Sequence, residues 1–172
     1  MSIIKKYREL DASTRFLIAF PVWLLILFGL FYWGRFWSHS PIGEYLDSLI
    51  RSIIMPILDA LLDSPIIGYD IIINPHYKVV ITPECNGLIP FLMISAAIIA
   101  FSCSIKRKVI WVLASAAIFF VVNIFRLYIV AIVVKRYGSE YFYYIHDIGG
   151  NLILVVTGAL IFLRYIRGCD IE

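Results

Sequence analysis

The chain has 172 residues, of which 62% are apolar and 16% charged, with a formal net charge of +3 and a mean hydropathy of +0.90. A soluble domain of this size runs nearer to about 45–50% apolar and about 25% charged, since a small globule has too little interior to hide more. These values exclude a water-soluble enzyme, and a small positive charge with no basic stripe excludes a nucleic-acid partner.

The first long apolar run is Phe16 to Trp37, interrupted only by Arg35. A membrane crossing needs about 20 such residues, so this run reads as a spanning helix. It is too long for a signal-peptide core, and no small-residue cleavage site follows it. Next, Ile42, Tyr45, Leu46, Leu49, Ile50, Ile53, Ile54, Ile57, Leu58, Leu61 and Leu62 recur at three-four spacing, while Glu44, Asp47, Arg51, Asp59 and Asp63 fill the other face. That pattern predicts an amphipathic helix over about 42–62, bent at Pro56. Two β-branched runs around Asn74-Pro75 then predict a small hairpin over about 66–82. Three further spans follow at about 87–105, 109–134 and 148–166, the second of them interrupted by Arg126.

Basic residues orient these spans. Lys5, Lys6, Arg8 and Arg15 precede the first, Lys106, Arg107 and Lys108 join the second to the third, and Arg164 and Arg167 end the last. Placing all of them on the cytoplasmic side obeys the positive-inside rule, with only Lys135 and Arg136 against it. A fifth crossing at 42–62 would move Lys106–Lys108 outside, so that helix is expected to lie in the outer interface. The fold expected is therefore an all-α polytopic membrane protein in the lipid bilayer. It has four transmembrane helices, an outer amphipathic helix and a small β-hairpin, with both termini inside. Trp33, Trp37, Tyr141, Tyr143 and Tyr144 fit an outer aromatic belt.

Three residues stand out on this topology. Cys85 sits at the outer N-terminal end of the second span, where partial positive charge and free backbone N–H groups favour a thiolate. Gly87 lets backbone or substrate come close. Cys103 and Cys169 fall at the cytoplasmic side, so neither can pair with Cys85, which leaves Cys85 a free thiol or an intermolecular bridge. The blander alternative for a membrane cysteine is a small buried hydrophobe. Arg126, inside a span, is costly and a functional candidate by default. Asn123, one turn earlier on the same face, is placed to hold its guanidinium. The alternatives for Arg126 are a snorkelling side chain or an inter-helix clasp. His146 precedes the last span on the outer side, with Asp147 as a helix cap. His39 and His76 read as surface residues, His76 as a weak backup base. A cysteine, an arginine and a histidine on one side and at one depth form the set that cysteine acyl transfer needs. No glycine-rich phosphate loop or paired-cysteine zinc pattern occurs, and no metal or organic cofactor is expected.

Cys85-Asn-Gly-Leu after a hairpin, Asn123-x-x-Arg126 within a span and His146-x-x-x-Gly150 opening the last span resemble the exosortase/archaeosortase family. The likeness covers roughly residues 66–165. Asn86 departs from the serine that many members carry there, and the chain is shorter than many. The resemblance implies a membrane cysteine transpeptidase or protease of the prokaryotic cytoplasmic membrane, with its active site on the extracytoplasmic face. It would cleave C-terminal sorting signals (a motif, a transmembrane helix and a basic tail) from exported proteins and pass the product to an acceptor, a lipid or glycan amine or water. Cys85, Arg126 and His146 would be its catalytic residues, supported by Asn123, Asn86 and Gly87. The competing expectation is a non-catalytic membrane scaffold, in which Cys85 reacts no faster than a model thiol.

Overall fold

A computed structural model of the protein describes residues 10–32, 40–82 and 85–169. The chain is mostly helical, with a small three-stranded sheet. Among the described residues, three helical stretches are long and apolar enough to cross a membrane: Ala12–Phe31, Ile105–Tyr137 and Ser139–Ile166. The residues 1–9, 33–39, 83–84 and 170–172 lie outside the described part, and with them Lys5, Lys6, Arg8, Trp33, Arg35, Trp37 and His39.

Helix α1 runs Ala12–Phe31, four residues earlier than the apolar run alone suggests. The reason is its cap. Asp11 accepts the Thr14 N–H at 3.0 Å, which satisfies a donor that the first turn leaves free. None of its residues is buried by protein, as expected of a helix solvated by lipid. Phe16 stacks on Phe162 and meets Phe101 edge-on, at centroid distances of 5.7 and 5.9 Å.

Helix α2, Pro41–Leu61, matches the predicted amphipathic helix and continues through Pro56. Ser40 caps it and Pro41 occupies the first turn, where its missing N–H costs nothing. The face it buries corrects the sequence reading. Ile54, Met55 and Leu58 pack inward together with Asp47, while Ile42, Tyr45, Leu49, Ile53 and Leu61 are exposed. Periodicity finds an apolar stripe, but it does not say which stripe meets protein when the other can meet lipid.

The expected hairpin is strands β2 (Asp70–Asn74) and β3 (Tyr77–Val80), with the Asn74 side chain accepting the His76 N–H in the turn at 2.9 Å. A two-residue strand β1 (Ile66–Ile67), not anticipated, adds to β2. Ile71 pairs with Val79, and both point into a core of Ile54, Leu58, Leu127, Val130, Ala131 and Val134. Truncating such a residue to alanine costs about 2–5 kcal/mol.

Helix α3 is Leu88–Ala100, thirteen residues and so roughly 20 Å. It is shorter than the span expected over 87–105, because the chain leaves helical geometry at Phe101. Helix α4, Ile105–Tyr137, is longer than expected, roughly 50 Å. Its ends take in Lys106–Lys108 and Lys135–Arg136, which the charge pattern places in loops. Lysine and arginine are good helix formers, and here they serve neighbouring helix ends. Lys108 donates to the Ile99 carbonyl at 2.7 Å, and Arg107 donates to the Tyr165 carbonyl at 3.1 and 3.3 Å. Both carbonyls lie in last turns, where the regular helical ladder runs out; that of Tyr165 also takes the Gly168 N–H at 3.4 Å.

After Gly138 the chain stays helical to the end of α5. A 3-10 turn (Ser139–Tyr141) and a wide π turn (Tyr144–Gly149) precede α5 proper, Gly150–Ile166. The last helical stretch therefore begins well before the predicted residue 148. A second core joins Ile98, Phe119, Leu154, Ile161 and Tyr165. Beside it a disulfide ties Cys103 to Cys169, a pairing that the sequence reading does not foresee. Arg107, Lys108, the disulfide and the end of α5 thus gather at one end of the helices, and Cys85 and His146 lie at the other.

Candidate active site

Cys85 is presented by the turn between β3 and α3. Two bonds hold its backbone, and a third fixes the residue after it. Its N–H donates to the Thr82 carbonyl at 2.9 Å, its carbonyl accepts from Asn123 Nδ2 at 2.7 Å, and the next residue, Asn86, caps α3 by accepting the Leu88 N–H at 2.7 Å. Gly87 makes this turn possible. Its φ is +79°, and a Cβ there would press on Asn123 at 3.3 Å. The Asn123 amide therefore holds the backbone of Cys85 and not, as expected, the guanidinium of Arg126.

The thiol of Cys85 lies 3.3 Å from His146 Nε2 and 3.4 Å from Thr82 Oγ1. It is a free cysteine and mostly buried. Burial pushes its pKa up. The hydrogen bonds from His146 and Thr82, with the charge on His146, outweigh that and hold the thiol below its ordinary range.

His146 stands in the π turn, a helical irregularity that recurs at functional sites. Its ring stacks on Phe142 at 4.8 Å, and Nδ1 lies 2.7 Å from Asp147 Oδ1. A carboxylate can only accept, so Asp147 draws the ring proton to Nδ1 and leaves the Nε2 lone pair toward the thiol. The expected role of Asp147 is a helix cap; here it faces the imidazole of its neighbour.

Arg126 is 4% exposed, so it is enclosed by protein and does not snorkel. Its Nη2 lies 3.3 Å from His146 Nε2, 3.2 Å from the His146 carbonyl and 3.5 Å from Asn151 Oδ1. Guanidinium and thiol thus meet the same imidazole nitrogen. His76 sits in the turn of the sheet, with its backbone bonded to Asn74. Sequence reasoning misses Thr82, Asn151 and Asp47. The last accepts from Asn86 Nδ2 at 2.7 Å. Among the described residues no cluster of metal-ligating side chains occurs.

Residues 10–163 match the transmembrane exosortases. The chain belongs to the exosortase/archaeosortase family. Among curated relatives, it is 29% identical over 153 residues to the probable archaeosortase E of Methanocaldococcus jannaschii, across 88% of this chain and 77% of that one. No solved structure matches the chain. Family membership supports a multi-pass membrane protein with a transpeptidase or protease role.

Proposed function

We propose that this exosortase-family protein cleaves C-terminal sorting signals through a thioester on Cys85. The observation that carries the reading is the single imidazole nitrogen, Nε2 of His146, lying 3.3 Å from both the Cys85 sulfur and the Arg126 guanidinium.

His146 Nε2 takes the thiol proton, and the sulfur attacks the carbonyl carbon of the scissile peptide bond. The oxygen gains negative charge, which the fixed cation of Arg126 offsets in a setting poor in water. The carbon–nitrogen bond breaks, and His146 returns the proton to the leaving amine. The acyl group stays on Cys85 as a thioester. An acceptor amine, or water, then attacks it while His146 takes the acceptor's proton, and the thiol is regenerated. Asp147 keeps the imidazole in the working tautomer throughout.

On this reading four helices cross the bilayer, with α3 as a short crossing prolonged by the turns at its ends. Both termini lie in the cytoplasm, α2 lies in the outer interface, and Cys85, Arg126 and His146 face the extracytoplasmic side. The grouping of Lys106–Lys108, Arg164 and Arg167 at the far end of the helices from Cys85 supports that orientation. The substrate is an exported protein ending in a motif, an apolar helix and a basic tail. Its helix lies beside α3 and α5, whose facing sides leave an apolar groove of ≈ 330 Å³ bounded by Pro90, Met93, Phe119, Leu154 and Asn151. Asn151 also touches Arg126, so the groove ends at the proposed chemistry. The test is to replace Cys85 by Ala and follow tail removal from such a protein; the variant should leave the tail in place.

A further inference from the structure

Helix α2 carries a charge pair that the proposed chemistry does not use. Asp47 is 2% exposed. One of its oxygens accepts from Arg51 Nη2, one turn along the helix. The other accepts from Asn86 Nδ2 at 2.7 Å. Asn86 is itself 4% exposed, and its Oδ1 takes the Leu88 N–H at 2.7 Å. A carboxylate offers no proton, so Asp47 admits only one orientation of the Asn86 amide. That orientation is the one that caps α3.

Arg51 extends the network to the sheet. Its guanidinium lies 4.1 Å over the Tyr69 ring, just before β2, and Nη1 reaches the Ile81 carbonyl, just after β3, at 3.5 Å. The contacts to Ile81 and Asn86 thus meet the chain before and after Cys85. A carboxylate on the polar face of an interfacial helix is cheapest in water. Burying it with a guanidinium costs desolvation, which such pairs do not always recover.

We propose that Asp47 is a positioning residue. Acting through Asn86, it holds the Cys85 turn so that the sulfur meets His146, with Arg51 as its counter-ion and its tie to the sheet. The inference rests on the reading of Cys85 as the nucleophile. Asp47 does not touch the sulfur. Among the described residues, the charged groups that face the thiol are His146 and Arg126, with the Thr82 hydroxyl beside them. Loss of Asp47 therefore alters the thiol only by moving the turn.

The test uses the full chain in membranes with Cys103 and Cys169 replaced by Ser, so that Cys85 is the sole thiol. Its alkylation by N-ethylmaleimide is followed across pH. Asp47→Leu and Asn86→Ala should each slow alkylation at neutral pH by about tenfold and move the profile toward higher pH, as a thiol that loses its histidine partner becomes less ionised. Asp47→Asn keeps an acceptor for Asn86 and should stay within about threefold of the parent, since a neutral acceptor still makes the bond. Asp47→Leu combined with Arg51→Met replaces the pair by apolar groups and guards against misfolding from an unpaired buried arginine. It should show the same slowing as Asp47→Leu. Parent-like rate and profile in both this double variant and Asn86→Ala would overturn the positioning role. That outcome is read on the thiol alone, so it is separate from whether Cys85→Ala still processes a substrate.

Discussion

A Cβ placed on Gly150 would collide with Arg126 Nε and come within 3.1 Å of its Cδ, so the guanidinium rests against bare backbone at the start of α5. No substitution fits there unless Arg126 moves. Gly150→Ala should therefore displace the guanidinium from His146 and Asn151. Processing is expected to fall by about 10²-fold, the scale of losing one oriented group at a charged transition state. Substrate-tail removal in membranes measures it, and parent-like activity in Gly150→Ala would show that the position of Arg126 is unimportant.

Arg126→Lys tests geometry separately from charge. A lysine keeps the cation but has no rigid, planar guanidinium to fix one nitrogen, as Nη2 is fixed here, against both His146 and Asn151. Processing should fall by about 10²-fold, with Cys85 still open to alkylation. Equal loss of alkylation would mean that the substitution disturbs the fold and not the chemistry.

The pH dependence follows from the direction of the Cys85 shift. Its thiol is held below the ordinary range by His146 and Thr82 against the opposing effect of burial. A lowered pKa means that thiolate is already present where an ordinary thiol, near about 8.5, is still protonated. As pH rises, alkylation of Cys85 should therefore reach its plateau earlier than that of a model thiol. His146→Ala removes the largest lowering cause and leaves burial, so its midpoint should move upward. Coincident profiles for parent and His146→Ala would contradict the contact.

Asp147→Asn should have a smaller effect. The carboxylate side chain is 46% exposed, so solvent screens much of its pull on the imidazole. A loss of at most about fivefold in processing is expected, with the alkylation midpoint moved upward. A loss as large as that of His146→Ala would promote Asp147 to an equal partner.

Orientation is tested by the thiols themselves. After reduction of intact cells, a membrane-impermeant maleimide should label Cys85 alone. Cys103 and Cys169, at the basic end, should label only once the membrane is opened. Disulfides persist chiefly in oxidising compartments, so the Cys103–Cys169 bond is the feature that argues most against a cytoplasmic basic end. Labelling of these two from outside would reverse the topology and place Cys85 in the cytosol.

Much of this architecture is legible in the sequence. Apolar runs mark the long helices because lipid tolerates little else. Asn74-Pro75 marks the sheet turn, and an arginine within a span marks a place where solvation alone would not put it. Other features stay hidden for physical reasons. Asp47 and Arg51 sit four apart on a helix with charges on one face, the usual signature of a solvated surface pair, yet both turn into protein. Asn123 shares a helical face with Arg126, which suggests contact, but its amide reaches the backbone of Cys85 across 38 positions of sequence. Asp147 looks like a cap because nothing local reveals the π turn that brings its side chain against His146. Spacing gives faces, and only tertiary packing decides what those faces meet.

The central claim is the thioester on Cys85. The most direct measurement is to express the parent, Cys85→Ala and Cys85→Ser chains with an exported protein bearing a tail of motif, apolar helix and basic end, and to follow tail removal by mass. Tail loss should occur with the parent and stop with Cys85→Ala and Cys85→Ser, and hydroxylamine should release the substrate fragment from the parent chain. Normal tail removal with both variants would contradict the account.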